Sequence, residues 1–204
     1  MKTLTAALFA VPVAVVAPYA AAQTQQHPAQ AQLQQNIDAV LKVVRNKGLS
    51  EQQKIKQIER YADNYLDYQR ISALAVGLPW KEFSPKQKTE FISAFKEMII
   101  AMYARSALMG AEKAQVKVLP KMVDNGKNKV DAYSEIVTPS GKKYEVSYQF
   151  YKVGSVYKVY NIRVDGVSMV TVYRNQFNDL IKQKGIDGTI ATVRAKGLKK
   201  AESL

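Results

Sequence analysis

The chain has 204 residues, of which 30 are lysine or arginine, 17 are aspartate or glutamate, one is histidine and none is cysteine. The lack of cysteine excludes disulfides and thiolate metal sites, so a hydrophobic core must stabilise the fold. The formal net charge of +13 favours anionic partners, namely lipid headgroups, acidic protein surfaces or nucleic acid.

The first 22 residues have the pattern of a secretory signal peptide. Lys2 supplies the positive charge, an apolar run covers residues 4–17, and alanines at 20–22 precede a cleavage point at Gln23. The apolar run is shorter than the about 20 residues of a membrane-spanning helix, which makes a retained membrane anchor the weaker alternative. We therefore expect an exported, periplasmic protein, for which nucleic acid is the least suitable partner.

The rest of the chain is predicted to form one domain. Residues 23–32 are polar and low in complexity, which is typical of a flexible leader. His27 lies in this leader and is expected to be solvated rather than to bind a metal. Residues 33–198 contain neither an internal repeat nor a long linker, which predicts a single domain. Residues 199–204 are predicted to be a frayed basic tail.

Helical patterns fill the first half of this domain. Ser50 with Gln53, and Ser84 with Gln87, have the spacing of capping boxes at helix starts. Apolar residues recur at helical spacing over residues 33–44, 55–66, 68–76 and 91–108.

The apolar period changes from 3.6 to 2 near Gln115, which indicates strands. Strands are predicted over residues 116–118, 130–138, 144–150 and 157–164, with turn-rich segments between them. A helix follows from about Val170, and Gly185 is placed to end it. Helices, then a meander, then helices predict an α+β fold: a curved antiparallel sheet of about four strands with N- and C-terminal helices.

Residues for catalysis are scarce. Nucleophilic triads and zinc sites need imidazole or thiolate, and His27 is the one histidine. Asp63 and Asp67 lie at helical spacing, but a solvated helix face explains the pair better than acid–base chemistry. Asp165 is better placed to cap the following helix than to act as a base. We therefore expect no enzyme, no cofactor and no metal.

Aromatic and apolar residues are abundant, with 12 tyrosines, 6 phenylalanines and 6 methionines. Taken alone, such residues on helix and strand faces form ordinary core more often than a binding site. A curved sheet crossed by long helices can, however, leave a cleft. The pattern leaves both interpretations open.

At residues 160–190 the chain resembles the MlaC family, also called the toluene-tolerance family, of periplasmic phospholipid carriers. The resemblance extends over essentially the whole chain after the signal peptide. The residues that carry it are Gly166-Val167-Ser168-Met169-Val170-Thr171, Lys184-Gly185-Ile186-Asp187-Gly188, Gly77-Leu78-Pro79-Trp80, Ser84-Pro85-Lys86-Gln87, Phe91, Phe95, Pro139-Ser140-Gly141 and Tyr148-Gln149-Phe150.

The resemblance implies a fold similar to the nuclear-transport-factor and cystatin arrangement, with an apolar cavity for the acyl chains of a diacyl phospholipid. It also implies two partners, an inner-membrane ABC transporter complex and an outer-membrane lipoprotein–porin complex. Family members shuttle lipid between these complexes without hydrolysing anything. We expect this chain to act as a monomer.

Helix and strand phase predict which side chains face such a cavity. The predicted lipid-binding residues are Phe95, Met98, Ile99, Met102, Ile136, Val146, Tyr148, Phe150, Val170, Tyr173 and Phe177. The basic excess either serves solubility or docks acidic partner surfaces. The predicted docking residues are Arg105, Arg163, Arg174 and Lys182.

Three alternatives remain open at this point. The first is a binding protein for another apolar ligand, such as a hopanoid, a fatty acid or an organic solvent. The second is an isomerase on a related fold, which would need a carboxylate inside the pocket. The third is a basic nucleic-acid binder, which the signal peptide opposes.

Overall fold

The structure is a computed structural model that describes residues 26–202, apart from the side chains of residues 103–107, 109, 111 and 199–202. The predicted signal peptide lies outside the described residues. The elements are α1 (Pro28–Arg45), α2 (Glu51–Tyr65), α3 (Tyr68–Val76), a 3-10 helix (Leu78–Lys81), α4 (Pro85–Ala111), β1 (Gln115–Asp124), β2 (Lys129–Val137), β3 (Lys143–Val153), β4 (Val156–Val164), β5 (Val167–Ser168) and α5 (Met169–Glu202). No helix within the described range is long and apolar enough to cross a membrane.

The fold is α+β, as predicted, but the sheet has five strands in the order β1-β2-β3-β4-β5 rather than about four. All neighbouring strands are antiparallel.

The additional strand β5 is a two-residue strand that pairs with the end of β4. Asp165 and Gly166 join them with φ angles of 47° and 81°. A tight hairpin turn needs positive φ at both central residues, and an Asp-Gly pair tolerates it. Asp165 therefore forms a turn and does not cap α5.

Helix α1 begins earlier than the sequence predicts. The leader predicted for residues 23–32 is wrong from Pro28 onward, because Ala29 and Gln30 are 0% and 8% exposed in the first turn of α1. His27 is the N-cap, accepting a hydrogen bond at Nδ1 from the Ala29 N–H at 3.1 Å. Its ring also meets the edge of Tyr157, with centroids 5.6 Å apart. These tertiary contacts with the sheet order a segment whose composition alone favours disorder.

Both predicted capping boxes are confirmed. The Ser50 and Gln53 side chains each accept a hydrogen bond from the other residue's backbone N–H at the start of α2. Ser84 and Gln87 do the same for α4. These contacts satisfy N–H groups that have no partner within the helix, so local sequence determines both helix starts.

Helix α5 reverses direction at Gly185, whose φ and ψ are 67° and −176°. Before the reversal, Tyr173 contacts Met102 and Phe95, near the middle of α4. After it, Gly197 lies against the Met98 backbone. The two halves of α5 therefore both run along α4. The helical backbone continues to Glu202, into the segment that was predicted to be a frayed tail.

Two separate apolar clusters form the core. The helical cluster joins α3, α4 and α5, and the sheet cluster joins α1 to one face of the sheet. The helical cluster contains Ala75, Val76, Phe83, Phe91, Ala94, Phe95, Met98, Val170, Tyr173, Phe177, Ile190 and Val193. The sheet cluster contains Ala29, Leu33, Val130, Ala132, Phe150, Tyr157 and Val159.

Helix α4 links the two sides of the molecule. It packs against α5, α3, α2 and α1, and all four of these helices contact β4, while α1 also contacts β1 and β2. The chain leaves α4 at Ala111 and enters β1 at Gln115. Strand β1 forms the edge of the sheet away from β4 and β5. The end of α1 is tied to this corner because Arg45 donates to the Ala114 carbonyl at 3.0 Å. The end of α4 therefore lies near the end of α1, at the β1 edge of the sheet.

Candidate functional site

The face of the sheet toward α1 is called the inner face and is defined by the register of β2 and β3. Val130, Ala132, Ser134 and Ile136 of β2 lie opposite Phe150, Tyr148, Val146 and Tyr144 of β3. All eight side chains share one face, because alternate residues of a strand point to the same side.

Several apolar side chains around this face are only partly buried, although they pack against the sheet cluster. Their accessible surface distinguishes them from the fully buried members of the sheet cluster. They are Ile37, Leu66, Val118, Met122, Tyr148 and Ile162.

Of the lipid-binding residues predicted on helices, Ile99 and Met102 also keep accessible surface. Ile99 packs beside the helical cluster and stays partly exposed, and the Met102 side chain is 37% exposed. The Tyr173 hydroxyl donates to the Met102 sulfur at 3.9 Å, which holds Met102 at the edge of the cluster. They are the two predicted residues of α4 that keep accessible surface.

The other predicted helical residues form a filled core. Phe95 and Phe177 have ring centroids 5.0 Å apart, and Tyr173 meets both rings at 5.0 and 5.6 Å. Met98 is 2% exposed and Val170 is 6% exposed. These five side chains pack in the helical cluster, and the prediction that they bind lipid stays a prediction.

The lipid-binding residues predicted on strands likewise include both buried and accessible side chains. Val146 and Phe150 are 4% and 0% exposed, whereas Ile136 and Tyr148 keep accessible surface. The structure thus places Ile136 and Tyr148 on the inner face with free surface, together with a hydroxyl pair: Ser134 Oγ and Tyr148 Oη lie 3.3 Å apart. Burial raises the pKa of the Tyr148 phenol, and the Ser134 hydrogen bond partly offsets this. Tyr148 therefore stays protonated at neutral pH.

Side chains of β1, β4 and α1 also lie at this face, although they were not predicted from the sequence. Val118 and Met122 lie on either side of an irregularity in the pairing of β1 with β2. In β4, Val159 pairs with Phe150 and Ile162 pairs with Tyr148, so two inward residues are three apart. A β-bulge inserts one residue and breaks the period of 2, which hides Ile162 from a search for simple alternation.

The carboxylates considered for acid–base chemistry have structural partners. Asp63 accepts a hydrogen bond from Lys96 at 2.8 Å. Burial by itself would lower the pKa of Lys96, but hydrogen bonds to Asp63 and Glu59 raise it above its usual value. Asp67 caps α3 through the Arg70 N–H at 2.8 Å and accepts a hydrogen bond from the Tyr151 hydroxyl.

A buried carboxylate on the outer face belongs to a polar chain that positions the start of α5. Asp131 is 5% exposed and accepts hydrogen bonds from Asn125 at 2.8 Å and from Gln149 at 3.2 Å. Gln149 accepts from Asn161 at 2.8 Å, and Asn161 accepts from the Ser168 hydroxyl at 3.1 Å. Register places Asp131 beside Tyr133 and opposite Gln149, on the face away from Tyr148. It is therefore not a base within the candidate site.

The predicted docking residues have different surroundings. Arg174 donates from Nε and Nη2 to the Leu74 carbonyl at 2.9 and 2.8 Å, which fastens α5 to the end of α3. Arg163 is partly exposed on β4, and Lys182 is exposed on α5. The Arg105 side chain lies outside the described residues. Docking by all four residues stays a prediction, and Arg163 and Lys182 are chosen for the test because their accessible side chains are described.

A polar surface hollow of about 450 Å³ lies elsewhere, where the start of α4 meets the second half of α5. Gln87 donates to Asp187 across it at 2.7 Å. Its lining includes Lys86, Glu90 and Arg194. This charged lining is unsuited to acyl chains, so the hollow is not part of the candidate site.

Comparison with known proteins agrees with this architecture. The family model described as MlaC protein matches residues 34–195. The toluene tolerance protein ttg2D of Pseudomonas putida is 27% identical over 107 residues, which cover 52% of this chain and 49% of that protein. The match thus spans about half the length of this curated relative.

A solved structure has a similar fold. The phospholipid-binding protein from Ralstonia solanacearum, determined in complex with a phospholipid, superposes with a TM-score of 0.74 at 24% identity. The superposition covers 85% of this chain and 98% of that protein. Because the family model matches most of the chain, from α1 to the second half of α5, this protein belongs to the MlaC family.

Proposed function

We propose that this protein is a periplasmic phospholipid carrier that holds acyl chains between the inner face of the sheet and the second half of α4. The observation that carries the proposal is the set of apolar side chains that retain accessible surface: Ile136, Tyr148 and Ile162 on the inner face, and Ile99 and Met102 on α4. In a protein with two well-packed clusters, such surface on the inner side calls for an apolar ligand.

Two relationships support a phospholipid as that ligand. The chain belongs to the MlaC family, and the Ralstonia solanacearum protein of similar fold is a phospholipid-binding protein in complex with a phospholipid. Burial on this scale retains lipid strongly: two acyl chains with about 28 methylene groups gain on the order of 20 kcal/mol on leaving water. Escape into water without help is then very slow, which suits a carrier that releases its cargo only to a partner.

The proposed partners are an inner-membrane ABC transporter complex and an outer-membrane lipoprotein–porin complex, between which the protein shuttles lipid. This role requires export, which the pattern of the first 22 residues supports. It requires binding and release and no chemical step, so the proposed activity is transport and not catalysis.

Lipid analysis of the purified protein tests the proposal. The full chain is expressed with its own leader, purified without detergent from the periplasmic fraction, and analysed by native mass spectrometry. We expect a bound mass equal to one phospholipid molecule, and organic extraction should identify it. A second aliquot is stripped of lipid and reloaded from vesicles to show that the binding is reversible.

Two outcomes would contradict the proposal. Protein that carries no phospholipid, and that takes up none from vesicles, would exclude a phospholipid carrier. A bound hopanoid, fatty acid or aromatic solvent in place of phospholipid would keep the apolar site but assign it a different ligand.

A further inference from the structure

The Ser134–Tyr148 hydroxyl pair is a buried polar feature of the inner face that the binding of acyl chains leaves without a role. The two residues are diagonal neighbours, since Ser134 lies opposite Val146 and Tyr148 lies opposite Ala132. Ser134 is 0% exposed, and its Oγ lies 3.3 Å from Tyr148 Oη. An apolar wall for hydrocarbon has no need of two hydroxyl groups, and burying them costs free energy unless they are hydrogen-bonded.

The pair has one more hydroxyl hydrogen than the contact between its two members uses. Each hydroxyl has one hydrogen to donate, and the contact between them uses only one of the two. Neither hydroxyl has a second hydrogen-bond partner in the part of the chain that the structure describes. One O–H donor therefore remains unused, and a buried unused donor costs about 1–3 kcal/mol.

The surroundings favour a neutral acceptor from a ligand. The strand neighbours of the pair are apolar: Val118 and Val146 flank Ser134, and Ala132 and Ile162 flank Tyr148. Tyr148 retains accessible surface although burial raises the pKa of its phenol. Its side chain therefore borders the interior space as a neutral donor.

A second polar group lies over the same face. Asn36 of α1 is 9% exposed, and its Oδ1 has no hydrogen-bond partner. It lies between Leu33 and Ile37, which both pack in the sheet cluster with Tyr148. An acceptor without a partner, Asn36 Oδ1, therefore lies beside the side chains of α1 that pack on the inner face.

We propose that the free hydroxyl of the Ser134–Tyr148 pair donates a hydrogen bond to an ester carbonyl of the bound phospholipid. The inference rests on the proposed function, and it assigns the pair to the junction between acyl chain and glycerol. Phosphate is a poorer fit, because a buried anion requires a cation or several donors and the strand neighbours are apolar. The pair therefore sets how deeply the lipid enters and favours ester-linked over ether-linked chains.

An ester-against-ether competition tests this on the unaltered protein. Lipid-free protein is loaded from vesicles that contain equal amounts of diacyl and di-O-alkyl phosphatidylethanolamine of equal chain length. The bound ratio is then measured by mass spectrometry. We expect the ester lipid to be favoured about fivefold, the factor that one ordinary hydrogen bond supplies. If the protein offers no donor, the ratio should favour the ether lipid. An ester carbonyl that leaves water without gaining a new hydrogen bond costs free energy.

Two double variants test whether the preference for ester lipid comes from this hydroxyl pair. The double substitution Ser134→Ala/Tyr148→Phe removes both hydroxyls and should abolish the ester preference. The control is Tyr133→Phe/Ser147→Ala, the same two changes at a directly paired position on the outer face, which should preserve it. Equal loading of the two lipids by the unaltered protein would overturn this inference alone. Failure to load either lipid would overturn the proposed function and this inference with it.

Discussion

Ile136 and Met98 are both predicted from the sequence to face lipid, but they have different neighbours in the structure. Ile136 lies on the inner face of β2 and keeps accessible surface. Met98 is 2% exposed, and Gly197 of α5 packs directly against its backbone. The same charged substitution should therefore cause loss of ligand at one position and loss of stability at the other.

We predict that Ile136→Glu abolishes lipid retention with little change in the melting temperature of the lipid-free protein. A carboxylate at the edge of the space can reach water when the site is empty, but bound acyl chains would desolvate it at a cost of several kcal/mol. Met98→Glu should instead lower the melting temperature sharply, because its charge has no route to solvent. Native mass spectrometry and thermal unfolding measure the two effects.

The control for this pair is Val153→Glu, at a position that is 46% exposed at the end of β3. It should retain lipid and melt as the unaltered protein does. If Ile136→Glu retained lipid as well as Val153→Glu does, Ile136 would not line the site.

Among the elements, α5 depends most on one backbone conformation. Its reversal at Gly185 brings the second half back along α4, where Ile190 and Val193 complete the helical cluster. The φ and ψ of 67° and −176° lie in a region that is accessible almost only to glycine. A Cβ at this position would meet no atom within 4 Å, so a substitution would act through backbone strain alone.

We predict that Gly185→Ala lowers the free energy of unfolding by about 1–3 kcal/mol, the cost of such backbone strain. For a chain of this size each kcal/mol corresponds to roughly 2–4 °C in melting temperature. Gly110→Ala is the control: Gly110 lies near the end of α4, and an added Cβ there also meets no atom within 4 Å. Because alanine is the better helix former, this variant should be neutral or slightly stabilised. Equal melting temperatures for the two variants would show that the reversal does not require glycine.

At the scale of the whole molecule, charge and apolar surface are placed apart. The residues named for the site include no ionisable group except tyrosine, although the chain carries a net charge of +13. A carrier needs this division, since cargo is held by burial and partners are met through the surface. Arg163 and Lys182 keep accessible surface and are the candidates chosen to test contact with acidic partner surfaces.

We predict that Arg163→Glu and Lys182→Glu each weaken binding to the purified inner-membrane transporter complex by up to about fivefold, the value of about 1 kcal/mol for an exposed ion pair. The loss should shrink as salt rises, because salt screens exposed charges. Lys47→Glu, at an exposed position between α1 and α2, changes the net charge equally and is the control. If all three variants lost the same affinity, net charge and not a docking surface would explain the effect.

The sequence by itself determined the order of the main helices and strands, the capping boxes at Ser50 and Ser84, and the glycine at residue 185 where the helix is interrupted. These features depend on a few neighbouring residues, so local chemistry is sufficient to predict them. The resemblance that pointed to the MlaC family is likewise carried by short motifs that the sequence contains in full.

Only the tertiary structure decided which apolar side chains fill a core and which retain free surface. Phe95, Met98 and Ile99 lie within five residues of each other on α4, yet the first two are buried and the third is not. Periodicity reports that a side chain faces inward, but the distance to the next element depends on how α4 and α5 pack together. For the same reason α1 is ordered from Pro28 onward: contacts of its first turn with the sheet, which no local pattern encodes, outweigh a composition typical of disorder.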